Sequence, residues 1–418
     1  MAKIKQVFAR EILDSRGNPT IETTVILEDG SVGTASCPSG ASTGMHEAVE
    51  LRDNDNSRYN GKGVLQAVSN IENIVGPQLI GKEAGVQKDI DAILTALDGT
   101  PNKAKLGANT ILSASIAVAK AQSVSEKIPI YRYIQRITGN LSVAVPTPFF
   151  NILNGGKHAG ENIDFQEFIV IPNRQTPFSK GLEQAVSVYF SLKKLLEQNH
   201  LSILVGDEGG FGPVLSNNKA ALSFIKQAIE QTQLVFAKDM SVGLDVAASS
   251  FYKDGKYILK ENPNGASASE LIALYTQLNN EYRFLFLEDA LAEDDWDNWT
   301  QLASALSGKE TIVVGDDLLV TNPERLKLAI EKKAATGIII KPNQIGTISE
   351  AIAVAAIAKQ ANIKTVVSHR SGETNDDFIA DFAVGINADF VKFGAPARGE
   401  RVAKYNRLLK IESELTTT

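Results

Sequence analysis

The chain has 418 residues, of which 43% are hydrophobic and 22% charged, enough apolar residues for a sizeable core. Lys and Arg number 42 against 49 Asp and Glu, and the resulting net charge of −7 argues against a general nucleic-acid-binding protein. The single cysteine, Cys37, excludes an internal disulfide framework and a thiolate zinc site. With only four histidines, any bound metal is expected to be a hard cation held by carboxylate oxygens.

Membrane and secretion signals are absent from the sequence. No stretch approaches 18 consecutive apolar residues, and the charged N-terminal segment lacks the apolar region of a signal peptide. We therefore expect a cytoplasmic protein that binds neither membranes nor nucleic acid.

The first 138 residues have the pattern of three strands followed by helices. Turn signals such as Asp29-Gly30 separate the strands. This order predicts a small α+β domain over residues 1–138, with a boundary at Gly139. The strands are expected at 4–13, 20–27 and 31–36, and the helices near 45–52, 64–75, 88–97 and 109–126.

Residues 139–418 contain repeated units. Short apolar runs each end in a polar or charged residue, and helical segments separate them. The runs end roughly 25 to 45 residues apart, the spacing of strand–helix units, which favours a closed α/β barrel of the TIM type. The residues that end the runs are Asp245, Glu288, Asp316, Lys341, His369 and Lys392.

Three of these residues are acids, namely Asp245, Glu288 and Asp316. Because the C-terminal ends of barrel strands meet at one mouth, the three carboxylates should converge there. They would repel one another unless a cation lay among them, and their oxygens suit Mg²⁺. A single such acid would more often cap the helix that follows its strand. Three on neighbouring strands favour a metal site.

Lys341 also ends an apolar run, so its ammonium should lie in a partly desolvated mouth beside the metal. Both effects would lower its pKa and favour a neutral amine that can act as a base. A structural lysine in a salt bridge is the alternative.

Two acidic segments supply further candidates. The GDEGGF segment places Asp207 and Glu208 in a glycine loop after the apolar run 203–205, which we expect to be a buried strand. Gln166 and Glu167 interrupt an apolar strand, where a carboxylate needs a cavity or a cation.

Phosphate or carboxylate binding is indicated by the SHRSGET segment, in which Arg370 and Ser371 follow His369. Glycine-rich loops around Ser42 and His158 are often plain connectors. There is no P-loop or GxGxxG pattern, so nucleotide binding lacks its usual signature. A metal, a lysine base and a cationic pocket suit proton abstraction next to a carboxylate, with Glu208 as the acid for a leaving hydroxyl.

Motifs spread from about residue 13 to residue 406 resemble the enolase family, in the family order. They are LDSRGNPT, PSGASTG, NGKG, KLGANTIL, GDEGGF, FLED, GDDL, KPNQIGT, SHRSGET and GAPARGERVAKYN. The resemblance implies a carbon–oxygen lyase of glycolysis that reversibly dehydrates 2-phosphoglycerate to phosphoenolpyruvate. It also implies an atypical ββαα(βα)6 barrel with an antiparallel strand at Glu167, two Mg²⁺ per active site and a homodimer.

The resemblance also implies roles for individual residues. Lys341 would remove the C2 proton, and Glu208, with Glu167 beside it, would protonate the departing C3 hydroxyl. The predicted metal ligands are Asp245, Glu288 and Asp316, with Ser42 in a closing loop helping to hold a second Mg²⁺ recruited with substrate. The remaining substrate contacts would be His158, Gln166, Glu167, Glu288, Asp316, His369, Arg370, Ser371 and Lys392.

Two other functions are compatible with such a barrel: a related enzyme acting on a sugar acid, and a non-catalytic relative. SHRSGET together with GDEGGF argues against the first, and the presence of every proposed catalytic side chain gives no support to the second. Some positions depart from the form expected for the family without removing a proposed catalytic group: Lys157, Ala290, Pro342, Phe393 and Gly399.

Overall fold

The N-terminal strands form an antiparallel meander in the computed structural model, which describes residues 2–40, 44–160 and 162–417. At the turn between the second and third strands, Gly30 has φ +86°, a conformation that glycine adopts without strain. The three predicted strands are confirmed to within one residue at each end. They are β1 (Ile4–Leu13), β2 (Pro19–Leu27) and β3 (Val32–Ser36).

Helices cover one face of this sheet. The contact is close, because a Cβ atom at Gly33 would lie 2.1 Å from the carbonyl oxygen of Ala117. A π-helical turn at Ile71–Val75 joins the first two helices. The helices are α1 (Leu65–Asn70), α2 (Gly76–Leu79), α3 (Gln87–Asp98), α4 (Ala108–Ser125) and α5 (Ile130–Thr138).

The helix predicted near residues 45–52 is wrong, because this segment is irregular. Its backbone amides bond to distant segments instead of to their own turn. The amide of Ala48 donates to the carbonyl of Gln344 at 2.9 Å, and that of Val49 to the carbonyl of Asn102 at 2.8 Å. The first bond ties the segment to the barrel and the second ties it to the loop between α3 and α4, which a local pattern could not show.

Strands and helices alternate in the rest of the chain. The strands are β4 (Thr147–Asn154), β5 (Glu167–Pro172), β6 (Met240–Asp245), β7 (Tyr252–Lys253), β8 (Lys256–Leu259), β9 (Asn262–Ala266), β10 (Phe286–Glu288), β11 (Ile312–Gly315), β12 (Gly337–Ile340), β13 (Lys364–Ser368) and β14 (Phe390–Lys392). The helices are α6 (Phe178–Gln198), α7 (Asn218–Gln231), α8 (Ala268–Tyr282), α9 (Trp296–Ala305), α10 (Pro323–Lys332), α11 (Ile348–Gln360), α12 (Phe378–Gly385) and α13 (Gly399–Thr417).

Eight of these strands close into a barrel in the order β10-β11-β12-β13-β14-β4-β5-β6. Only β5 is antiparallel to its neighbours within this barrel. Since α6 and α7 follow β5, the barrel opens with the predicted ββαα unit and continues as six βα units. The small separate sheet β7-β8-β9 was not predicted.

Apolar side chains fill the interior of the barrel, so the polar residues at the strand ends lie above a closed floor. This buried cluster consists of Phe149, Ile169, Ile171, Phe286, Ile312, Val314, Ile339, Val366 and Phe390.

The predicted domain boundary at Gly139 falls in the turn that ends α5, where φ is +71°. Helix α5 packs closely on α12 of the barrel, because a Cβ atom at Gly385 would lie 2.4 Å from Ile134. The boundary between residues 138 and 139 stays a prediction. Among the described helices, none combines the length and apolar character needed to cross a membrane.

Candidate active site

The C-terminal ends of the barrel strands bring the run-ending residues to one mouth. Asp245, Glu288 and Lys392 are the last residues of β6, β10 and β14. The other three follow directly after β11, β12 and β13; they are Asp316, Lys341 and His369.

A cavity of about 320 Å³ lies at this mouth, and most of the predicted site residues line it. Its acids are Glu167, Glu208, Asp245 and Asp316, and its other predicted residues are His158, Gln166, Lys341, His369, Arg370, Ser371 and Lys392. A neighbouring cavity of about 620 Å³ shares Gln166, Asp245 and Asp316 with it. Glu288 is fully buried and lines neither cavity, and Ser42 lies outside the described residues.

Lys392 is the buried cation among the acids. Its Nζ lies 2.7 Å from Glu288 Oε2, 3.2 Å from Asp245 Oδ2 and 3.4 Å from Glu167 Oε1. Burial alone would lower the pKa of Lys392, but these carboxylates raise it well above its ordinary value. The ammonium thus offsets the repulsion that three convergent acids would otherwise feel.

The carboxylates fit a hard divalent cation. One oxygen each from Glu288, Asp289 and Asp316 lie within 4.8 Å of one another. Buried Glu288 Oε1 accepts no hydrogen bond from any described residue, which leaves it available as a ligand. Asp245 pairs with Glu288 in register on the adjacent strand. All of these possible metal-ligand atoms are carboxylate oxygens, which Mg²⁺ prefers.

Asp289 was missed by sequence reasoning, although it adjoins Glu288. Its Oδ1 accepts the backbone amide of Asp316 at 2.9 Å, and its Oδ2 accepts that of Asp317 at 2.8 Å. Both oxygens are therefore used to hold the turn that carries Asp316. The only sequence signal for Asp289 was its position directly after the strand-ending acid Glu288.

Lys341 forms an ion pair with Oδ2 of Asp316. Burial lowers the pKa of Lys341, but the Asp316 carboxylate opposes this and the net pKa is raised. The expectation of a lowered pKa is therefore wrong, because it considered burial and a nearby metal but not the ion pair with Asp316.

Two glutamates and two histidines form a second cluster. His158 Nδ1 lies 3.8 Å from both Glu167 Oε1 and Glu208 Oε1. Nε2 of His369 lies 3.2 Å from Glu208 Oε2, which also accepts a hydrogen bond from Asn151 Nδ2 at 3.0 Å.

The pKa values of the two glutamates in this cluster are shifted in opposite directions. Burial, with the charge of Glu208, raises the pKa of Glu167 well above its usual range. Burial acts the same way on Glu208, but the facing His369 and His158 hold its pKa well below the usual range. Of the two, Glu167 therefore holds a proton more tightly than Glu208.

Arg401, which sequence reasoning did not single out, fixes the tautomer of His369. Its Nη1 lies 2.6 Å from Nδ1 of His369, and arginine can only donate. Burial lowers the pKa of His369 to about 4, so the ring is neutral. Its proton must then be on Nε2, which faces Glu208.

The GDEGGF segment departs from its predicted setting. The run 203–205 is not a buried strand: Leu204 is 78% exposed, and Val205 makes only an isolated bridge to Phe211. Glu208 is nevertheless buried, because the loop folds back against the barrel. The amide of Ala395 donates to the Glu208 carbonyl at 2.9 Å.

Arg370 and Ser371 lie together on the wall of the cavity. The guanidinium of Arg370 bonds Glu47, and the carbonyl of Ser371 accepts from Arg401 Nη2 at 2.7 Å. Burial opposes the charge of Arg370, but Glu47 raises its pKa, so the guanidinium stays charged. His158 lies in a 3-10 turn, Gly156–Ala159.

Comparison with known proteins agrees with this geometry. Residues 4–134 match the family model described as "Enolase, N-terminal domain", and residues 142–418 match "Enolase, C-terminal TIM barrel domain". The chain is also 50% identical over 415 residues to the "Enolase" of Acidothermus cellulolyticus, which covers 99% of this chain and 95% of that protein. The chain belongs to the enolase family of hydro-lyases.

Proposed function

We propose that this protein catalyses the reversible, Mg²⁺-dependent dehydration of 2-phosphoglycerate to phosphoenolpyruvate in glycolysis and gluconeogenesis. The observation that carries the proposal is the shared cavity. A lysine, a pair of glutamates, and an arginine beside a serine all line the same 320 Å³ space. Family membership supports the same reaction.

The first step assigned to the protein is proton abstraction. Lys341, as the neutral amine, takes the proton from C2 and becomes an ammonium ion. The electron pair left on C2 passes into the substrate carboxylate. The contact with Asp316 places Lys341 Nζ at the mouth of the cavity, and the lysine must lose its proton before it can act as the base.

The second step is loss of the C3 hydroxyl. Glu208 gives a proton to the hydroxyl oxygen, the C3–O bond breaks, and water leaves as the C2–C3 double bond forms. Glu167 is assigned as the source of that proton, since its Oε1 and the Oε1 of Glu208 each lie 3.8 Å from His158 Nδ1. Neutral His369 faces the Glu208 carboxyl, with its Nε2 at 3.2 Å from Oε2.

Binding of the substrate is assigned to the other lining residues. Arg370 and Ser371 hold the phosphate, since a guanidinium beside a hydroxyl suits its oxygens. Lys392 faces the substrate carboxylate, and His158 and Gln166 line the pocket.

Asp245, Glu288 and Asp316 would hold the tighter of two Mg²⁺ ions, and Ser42 would help to hold the second, recruited with substrate. When bound, Mg²⁺ supplies positive charge that offsets Asp316 and the extra negative charge on the substrate carboxylate.

We also propose that the protein is cytoplasmic and forms a homodimer.

The proposal is tested by following phosphoenolpyruvate absorbance after 2-phosphoglycerate is added to folded protein. Product should accumulate with Mg²⁺, stop when a chelator is added and resume when Mg²⁺ is restored. Absence of product at saturating Mg²⁺ would reject the proposed reaction. Turnover of a sugar acid instead would favour a different reaction for this chain.

A further inference from the structure

Glu47 reaches the site from the segment that follows the N-terminal sheet. Its Oε2 accepts from Arg370 Nη1 at 2.9 Å, and its Oε1 accepts from Arg370 Nη2 at 3.2 Å. Its side chain is only 7% exposed, and that of Arg370 only 3%. The two groups thus form a buried, two-point contact, which holds a guanidinium plane in one orientation.

Glu47 is also connected to the residues around the proposed base. Gln344 Nε2 lies 3.3 Å from Glu47 Oε1 and donates to Asp316 Oδ1 at 2.9 Å. Asp316 in turn pairs with Lys341. One amide therefore joins the acid that holds Arg370 to the acid that holds Lys341.

Thr321 fixes the orientation of that amide. Its hydroxyl donates to Gln344 Oε1 at 2.7 Å and accepts the backbone amide of Lys341 at 2.9 Å. The Gln344 NH₂ group must then point toward Glu47 and Asp316. Every link between Glu47 and Lys341 is thus a hydrogen bond or an ion pair between buried or half-buried groups.

We infer that Glu47 is a positioning residue: it orients Arg370 for the substrate phosphate and, through Gln344, aligns Asp316 and Lys341 for proton transfer. This inference rests on the proposed function, in which Arg370 holds the substrate phosphate. Its first half is tested by anion binding without turnover. Loss of Glu47 leaves the Arg370 charge in place and removes its two-point contact, while the hydrogen bond from Arg370 Nη1 to Asn343 Oδ1 at 3.2 Å remains.

Inorganic phosphate is the probe for the first half, titrated calorimetrically into metal-free protein. Glu47→Ala should weaken phosphate binding roughly tenfold, the effect of losing one well-oriented charge-assisted hydrogen bond. Glu47→Asp keeps the carboxylate and should recover part of that affinity. Unchanged or tighter phosphate binding in Glu47→Ala would overturn the inference, because Glu47 would then be a competitor of the phosphate.

Asp381→Asn provides the matched control. Asp381 makes a two-point contact with Arg407, at 2.6 Å to both Nε and Nη2, between α12 and α13. This variant should lower thermal stability yet keep wild-type phosphate affinity. If it weakens phosphate binding as much as Glu47→Ala does, the effect is general destabilisation and the inference fails.

A double-mutant cycle tests the link through Gln344. Gln344→Met keeps the side-chain length and removes all three hydrogen bonds of the amide, with Glu47, Asp316 and Thr321. With 2-phosphoglycerate, kcat should fall in Glu47→Ala and in Gln344→Met, and the double variant should be little worse than the more impaired single variant. Multiplicative losses would overturn the coupling. Failure of the proposed reaction would appear in the wild type and would leave the phosphate result standing.

Discussion

His369 presents its Nε2 atom to the carboxylate of Glu208 at a distance of 3.2 Å. The neutral ring carries a proton on that nitrogen, because Arg401 occupies the other one. These neighbours hold the pKa of Glu208 well below its usual range, whereas burial and the charge of Glu208 raise the pKa of Glu167. The glutamate that holds a proton more tightly is therefore not the one proposed to deliver it.

Replacing Glu208 by Gln should separate the two chemical steps. The amide keeps the size of the side chain but cannot donate a proton to the leaving hydroxyl as an acid would. We expect dehydration to fall by about 10²- to 10⁴-fold, the usual contribution of general acid catalysis. Exchange of the C2 hydrogen of 2-phosphoglycerate with solvent, followed by NMR, should persist.

Asp207→Asn is the control, since Asp207 adjoins Glu208 in the same loop and is half-buried. It should retain most of the dehydration activity. Dehydration by Glu208→Gln at a rate close to that of the control would remove Glu208 from the acid role.

Titration of His369 should appear in the pH dependence of stability. Burial lowers the pKa of His369 from 6.5 to about 4, so between these values the unfolded chain binds the proton and the folded chain does not. The free energy of unfolding should therefore fall as pH decreases from 6.5 to 4, by roughly 3 kcal/mol from this group. Above pH 6.5 the ring is neutral in both the folded and the unfolded chain, so His369 adds no pH dependence to the free energy of unfolding there.

Denaturant unfolding at several pH values between 7 and 4 measures this slope. His369→Asn should show a shallower dependence than wild type. His200→Asn, at an exposed position after α6, should match the wild type. Equal slopes in all three proteins would contradict the buried, neutral state of His369.

Asp289→Ala should weaken Mg²⁺ binding without removing a proposed ligand. Its carboxylate accepts the backbone amides of Asp316 and Asp317, so its loss frees the turn that carries Asp316. Residues that support metal ligands in this way typically change affinity by about 10- to 100-fold. Calorimetric titration of Mg²⁺ measures the effect.

Asp297→Ala serves for comparison, because its side chain is 89% exposed. Its Mg²⁺ affinity should equal that of the wild type. Equal affinity in Asp289→Ala as well would mean that Asp316 does not depend on this support.

The strand-end residues of the site were predictable because the periodic apolar runs reveal parallel strands, and parallel strands end at one face. Asp245, Glu288 and Lys392 end their strands as the pattern indicated. The antiparallel β5 came from the family resemblance, because an apolar run does not reveal its direction.

The rest of the site depends on contacts between segments far apart in sequence. Arg401 is fully buried beside His369 and lies in a helix whose pattern gives no sign of it. Glu47 belongs to a segment that reads as a helix but bonds to the barrel. The charge state of Lys341 likewise follows from its pairing with Asp316, which no local pattern specifies.

Exchange of the C2 hydrogen tests the central claim most directly, since it isolates the step assigned to Lys341. In D₂O with Mg²⁺, wild-type protein should incorporate deuterium at C2 of 2-phosphoglycerate. Lys341→Met keeps the aliphatic chain and lacks the amine, so it should show no exchange while its circular dichroism stays that of the wild type. Exchange at the wild-type rate in folded Lys341→Met would contradict the account.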